Sequence, residues 1–247
     1  EICDGLDNNC NGAIDEIFSA PMIEVQRMLY IPGWPGTVEC DLGTCPEGNE
    51  FMERWFNYVG IQFDRWQGEA ITASWLEEKK YTLVWITADQ HDTGISDSDF
   101  ESLYQWSLLG GPIVLSTDNP PFYKPLEKLA AKYNVSYEWS PTNIQDVGPL
   151  TKESGDLAEH CVTRNMDWLG GGITPTHIVF PEPDARFKII GSKDGTQEFV
   201  IYEDGPTKIF FDGAFTRYYW QSDLENVFPF LRNLTGSKGR PRHFNHC

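Results

Sequence analysis

Short β-branched and aromatic runs alternate along the chain with amphipathic stretches. Residues 24–31 predict a strand that ends at Pro32 and Gly33. Residues 50–58 predict a helix with Phe51, Trp55 and Val59 on one face, stopped by Gly60. Residues 61–66 predict a second strand, and 74–80 a short helix or turn. The run Tyr-Thr-Leu-Val-Trp-Ile-Thr at 81–87 is the strongest strand signal, nearly continuous in apolar residues, as for a strand covered on both faces. Ser96 with Asp99 three residues on has the form of a capping box. It opens a helix with an apolar stripe of Phe100, Leu103, Tyr104 and Leu108, ended by Gly110 and Gly111. A buried strand at 112–116, a helix over 124–133 and an extended stretch at 135–139 follow.

That alternation predicts an α/β fold, a mainly parallel sheet with helices on both faces. Between 140 and 180 the pattern is weaker; 156–164 reads as a helix containing Cys161, and Gly170 to Gly172 as a loop. From 187 on, strands at 187–191, 198–202 and 208–212 alternate with Asp-Gly turns and predict antiparallel pairing. Residues 223–234 predict a closing helix interrupted at Pro229. The resulting division is a small N-terminal segment (1–19), one α/β domain (20–235) and a basic tail (236–247).

Composition changes this picture in two ways. With 19 Lys+Arg against 37 Asp+Glu, the 247-residue chain carries a formal charge of −18, which argues against nucleic acid as partner and suits cations. No apolar run is long enough for a transmembrane helix. The chain opens with Glu1 and shows no leader, as expected of a processed or excised chain.

The six cysteines are even in number, and four lie in two local pairs. Fifteen pairings are open. The most economical joins Cys3 with Cys10, Cys40 with Cys45, and Cys161 with Cys247, the last tethering the tail. Such a framework implies an oxidising, extracellular or cell-surface location. Asn134 and Asn233 begin two N-x-[ST] glycosylation sequons.

The N-terminal segment, EICDGLDNNCNGAIDE, concentrates oxygen ligands. From Asp7 it follows the opening of an EF-hand loop: Asp7, Asn9 and Asn11 offer side-chain oxygens, Gly12 the turn, Ala13 its carbonyl and Asp15 a further oxygen. The twelfth position is Phe18 rather than the usual glutamate, so Glu16, Asp15 or Asp4 must complete the set. The loop is therefore EF-hand-like, with calcium as the expected ion. Through Cys3, Asp4, Gly5, Asp7, Asn8, Cys10, Gly12, Asp15 and Glu16 the segment resembles a metal-binding repeat of bacterial surface and secreted proteins, C-D-G-x-D-N-x-C-x-G-x-x-D-E.

In the body, the strand ending at Asp89, Trp106, Gly110, Gly111 and the strand at 113–116 resemble the core of class I glutamine amidotransferase-like domains, which have a flavodoxin-like sheet. The nucleophile motif of that fold is missing: neither G-x-C-x-G nor G-x-S-x-G occurs. Asp89, His91 and Asp92 follow the best strand and form an alternative ligand or acid/base site, since ligands gather at the carboxyl ends of such strands. Clusters such as Tyr218, Tyr219 and Trp220 suit core, interface or sugar platform.

The sequence leads to a secreted, calcium-binding, non-catalytic bacterial surface protein. It would associate with itself or with other surface proteins, as in a structural subunit of a filament or other extracellular assembly. The alternative is an extracellular hydrolase or carbohydrate-binding module using the loop at 89–92.

Overall fold

The computed structural model describes residues 26–32, 50–88, 94–139, 148–172, 175–181, 183–218 and 224–235. The N-terminal calcium loop, the tail, Asp89, His91, Asp92 and every cysteine but Cys161 lie outside them.

The fold is mixed α/β. β1 (Met28–Pro32), β2 (Phe63–Arg65), β3 (Leu83–Thr87), β4 (Ile113–Ser116), β9 (Phe187–Lys193), β10 (Thr196–Asp204) and β11 (Thr207–Asp212) form one seven-stranded sheet, ordered β2-β1-β3-β4-β11-β10-β9. The pairs from β2 through β11 are parallel, and β10 and β9 add on antiparallel. The predicted late hairpin thus joins the central sheet, because β11 returns parallel to β4. The stretch at 135–139 does not: β5 (Ser136–Trp139) pairs with β8 (Thr176–Val179) in a separate antiparallel ribbon. β6 (Pro149–Thr151) and β7 (Trp168–Gly170) form another.

Period-two alternation divides the apolar residues between two cores. Met28, Tyr30, Leu83, Trp85, Val114 and Phe210 pack with α1 (Glu50–Val59) and α5 (Leu224–Thr235). Leu29, Ile31, Val84, Ile86, Leu115 and Phe211 pack with α2 (Ala73–Glu78), α3 (Asp97–Leu108) and α4 (Glu127–Ala131). Helices therefore cover both faces, as the alternating pattern predicts.

One local expectation fills out and two change. Trp55 and Val59 of the predicted α1 stripe are buried and are joined by Met52 and Phe56 in an i, i+3, i+4, i+7 set, while the Phe51 side chain lies outside the described ones. In α3 the inward position near the C-terminus goes to Ser107, whose hydroxyl hydrogen-bonds Tyr133 Oη at 2.6 Å, and Leu108 turns outward at 43% exposure. The helix expected over 156–164 shrinks to a 3-10 turn, Cys161–Thr163. Its backbone bonds go elsewhere: Ala158 N–H to Ile190 C=O, and Asp156 C=O from Ser192 N–H, along the edge of β9.

The capping box forms as expected, with a second duty. Asp99 Oδ2 accepts from Ser96 N–H, while Oδ1 accepts from the buried Ile71 N–H at 2.7 Å. Ser96→Ala should cost about 1 kcal/mol, a usual cap loss. Asp99→Ala should cost about 2–4 kcal/mol, because it also strands a buried donor. Denaturant midpoints of the two variants check this; equal losses would remove the second duty.

Candidate functional site

In open α/β sheets the carboxyl ends of the parallel strands are where ligands collect. Here β4 runs into Thr117 and Asp118, and β11 ends at Asp212. Asp212 is 0% exposed, yet both carboxylate oxygens are committed. Oδ1 accepts from Ala214 N–H at 3.1 Å and Arg217 Nε at 3.0 Å; Oδ2 accepts from Tyr218 Oη at 2.7 Å and Ser116 Oγ at 3.3 Å. A 3-10 turn, Phe215–Tyr218, folds the chain back just after β11 and brings Arg217 and Tyr218 onto that carboxylate.

Arg217 is fully buried and donates through Nη1 to Gly170 C=O at 2.7 Å, reaching β7. Its Nη2 stands 3.8 Å from Glu198 Oε2, an ion-pair distance without a hydrogen bond. Glu198 comes from an irregularity in the β9–β10 pairing between Gln197 and Phe199. Such a bulge re-aims a side chain. The backbone closes the same region: Thr117 N–H donates to Asp212 C=O, Phe215 N–H to Thr117 C=O, and Thr176 Oγ1 to Asp118 C=O. Trp55 Nε1 donates to Tyr218 C=O at 2.7 Å, tying in α1.

Burial controls the electrostatics. It works against the Arg217 charge, but Asp212 and Glu198 outweigh it and hold the guanidinium pKa above its ordinary value. Burial, then the Asp212 charge, push the Tyr218 hydroxyl well up, so it stays a donor. Burial also pushes the Glu198 carboxyl from 4.5 up to about 8, against the pull of Arg217. Among the described residues neither Glu198 oxygen has a hydrogen-bond partner, consistent with a neutral acid at pH 7. The arrangement can hold a fixed buried charge pair, and the groups that carry it are shut from solvent.

The residues expected from the sequence fall as follows. The segment carrying Asp89, His91 and Asp92 leaves from the carboxyl end of β3, where Ala88 N–H donates to Ser116 C=O at 2.8 Å. Cys161 is buried and held in a disulfide. Its partner falls outside the described residues, so pairing with Cys247 remains an expectation. Asn134 is exposed in a left-handed turn at φ 60°. Asn233 spends its amide on Val162 and Arg164 carbonyls at 3.2 and 2.8 Å, so Asn134 is the sequon more open to modification. Tyr218 is core rather than platform, at 1% exposure. Among the described residues no group of three or more His, Cys, Asp or Glu side chains could hold a metal ion. Nor is any helix there long and apolar enough to cross a membrane.

Reading the sequence missed Asp212, Arg217 and Glu198. The available signal was one acidic residue closing the apolar run Ile-Phe-Phe, and one acidic residue inside a strand. It also passed over His160, whose Nδ1 accepts from Val162 N–H at 3.3 Å. Burial, helped by Lys188 and Lys208, lowers the His160 pKa from 6.5 to about 4.

No protein-family profile matches the chain, and no curated protein matches it either. Solved structures do. A cytoplasmic protein of Salmonella typhimurium LT2 matches at TM-score 0.60 and 13% identity, over 87% of this chain and 100% of that one. An exo-β-1,4-mannosidase of Opitutaceae bacterium strain TAV5 matches at TM-score 0.51 and 10% identity, over 90% of this chain; the chain spans only 37% of that enzyme. A glutamine amidotransferase of Thermotoga maritima matches weakly, at TM-score 0.41 and 12% identity, over 86% of this chain and 90% of that one. At such identities the first two likenesses show the fold alone, and the third adds nothing to it.

Both perturbed groups give stability a pH dependence. Glu198 has a folded pKa above its unfolded value, so its contribution is complete below pH 4.5 and is lost as pH rises through about 8. Glu198→Gln should flatten that limb, which amounts to at most about 4–5 kcal/mol. His160 has a folded pKa below its unfolded value, so its contribution holds above pH 6.5 and is lost as pH falls through about 4. His160→Asn should flatten the acid limb. Urea titrations from pH 4 to 9 measure both; a wild-type curve shape retained by either variant would contradict the assignment for that residue.

Proposed function

We propose that this chain is a secreted, calcium-binding cell-surface protein whose α/β body is a non-catalytic scaffold, with a role in an extracellular assembly. The observation that carries the reading is the disulfide-spaced loop of hard oxygen donors: Asp4, Asp7, Asn9, Asn11, the Ala13 carbonyl, Asp15 and Glu16. That donor set contains no nitrogen or sulfur ligand and suits Ca²⁺ over Zn²⁺ or copper. The body supports the scaffold half. Ser116, Asp212 and Arg217, at the place where this fold presents reacting groups, are spent on one another. A net charge of −18 opposes association of copies, and divalent cations offset that repulsion.

A second reading, an extracellular hydrolase acting through Asp89, His91 and Asp92, is favoured by one observation: that segment departs from β3 beside Ser116, at the ligand-binding end of the sheet. Turnover of a glycan or peptide substrate that disappears in Asp92→Ala would replace the scaffold reading with this one.

Isothermal titration with Ca²⁺ should give saturable heat for the full chain and a loss of at least tenfold in affinity for Asp7→Ala. Sedimentation of the full chain should show larger species in calcium than in EDTA. Absence of heat from the wild type removes the metal from the account; a monomer in both buffers removes the assembly.

A further inference from the structure

A recess of about 290 Å³ lies at the β2 edge of the sheet, away from the carboxyl-end cluster. It arises from the register. Asp64 on β2 stands beside Leu29 on β1 and Val84 on β3 in one cross-strand row, so an otherwise apolar row ends in a carboxylate at the edge strand. The rings of Trp66, Trp75 and Tyr81 line the space above it.

The rings are set by their neighbours. Trp66 Nε1 donates to Glu69 C=O at 2.8 Å, and Trp75 meets Tyr81 at 5.5 Å between centroids. Tyr81 Oη donates to Asp64 Oδ2 at 2.8 Å, and the Arg27 guanidinium lies over the Tyr81 ring. Both Trp66 and Trp75 remain half-buried rather than covered.

Polar groups in the recess are only partly used. Asp64 Oδ2 is engaged by Tyr81 and Arg27, while its Oδ1 meets no donor among the described residues. Glu69 Oε2 accepts from Gln67 N–H, while its Oε1 likewise meets none. The Lys79 side chain lines the same recess.

We propose that this recess binds a pyranose unit of a glycan. A sugar ring offers C–H faces that stack on indoles and hydroxyls that both donate and accept. The Trp66 and Trp75 rings match the first, and Asp64 Oδ1, Glu69 Oε1 and Lys79 Nζ match the second. Of the three cations that line the recess, Arg27 is paired with Asp64 and Arg65 with Glu53, which leaves Lys79, opposed by Glu69, to meet an anion; the carboxylates of Asp64 and Glu69 disfavour a phosphate. An apolar peptide side chain would desolvate those carboxylates without replacing their hydrogen bonds. The volume falls just below the range of about 300–1,000 Å³ for drug-sized ligands, which suits one sugar unit. The proposal stands apart from the calcium reading, which concerns residues 4–16.

The test is a glycan array with the full chain, followed by isothermal titration of the strongest binder. Trp66→Ala and Trp75→Ala should each weaken binding at least tenfold, and Glu69→Gln, an exposed change, several-fold. Trp75→Phe should keep most of the affinity. Leu109→Ala, exposed at the end of α3 and outside the recess, should leave it unchanged. No glycan bound above background overturns the proposal. So does unchanged affinity in folded Trp66→Ala and Trp75→Ala; if either fails to fold, unchanged affinity in Glu69→Gln overturns it.

Discussion

Burying a guanidinium and a carboxylate together is the constraint around which the rest of the sheet is arranged. Arg217 and Asp212 are each 0% exposed at the side chain. Removing such charges from water costs several kcal/mol per ion, and only close geometry with further hydrogen bonds offsets it. The surroundings supply those bonds: Ser116 from β4, Tyr218 and the Ala214 N–H from the turn after β11, and Gly170 C=O from β7. Gly213 sits so close to the Thr176 carbonyl that any side chain there would run into it, so the turn can form only with glycine. The ion pair thereby ties the ends of β4 and β11 to β7, while Thr176 at the start of β8 joins the same region through Asp118 and Gly213.

This arrangement has a functional consequence. A fold that binds ligands at the carboxyl ends of its strands can leave polar groups there facing a cleft, or turn them inward. Among the described residues Ser116, Asp212, Arg217 and Tyr218 turn inward, and Glu198 adds an acid whose ordinary pKa is displaced by the same burial. The binding sites proposed for this chain lie in places the cluster does not occupy. Two are proposed above, the acidic N-terminal loop and the aromatic recess beside β2. The first is written in the spacing of a few residues, the second only in the register of the sheet.

That difference also explains what the sequence made legible. β3 was legible because five consecutive buried residues leave no other reading, and α3 because Ser96 and Asp99 cap it through local bonds. The hairpin strands were legible from their Asp-Gly turns, with Asp194 and Gly195 both at positive φ. The helix expected around Cys161 failed because edge pairing with β9 took its backbone groups, a contact made across more than thirty residues of chain. The Asp212–Arg217–Glu198 cluster was illegible for the same reason. Asp212 and Arg217 are five apart on a turn no motif announces, and Glu198 reaches them only through an irregular strand pairing.

The most direct test of the central claim, that the carboxyl end of this sheet is held by a buried pair acting as one unit, is a double-mutant cycle. Asp212→Asn and Arg217→Met, measured singly by denaturant unfolding, should each cost about 3–5 kcal/mol, because each strands a buried group. Combined, they should cost clearly less than the sum, with a coupling of at least about 1–2 kcal/mol. Additive losses would mean that the two residues act independently, and the account built on the pair would fail.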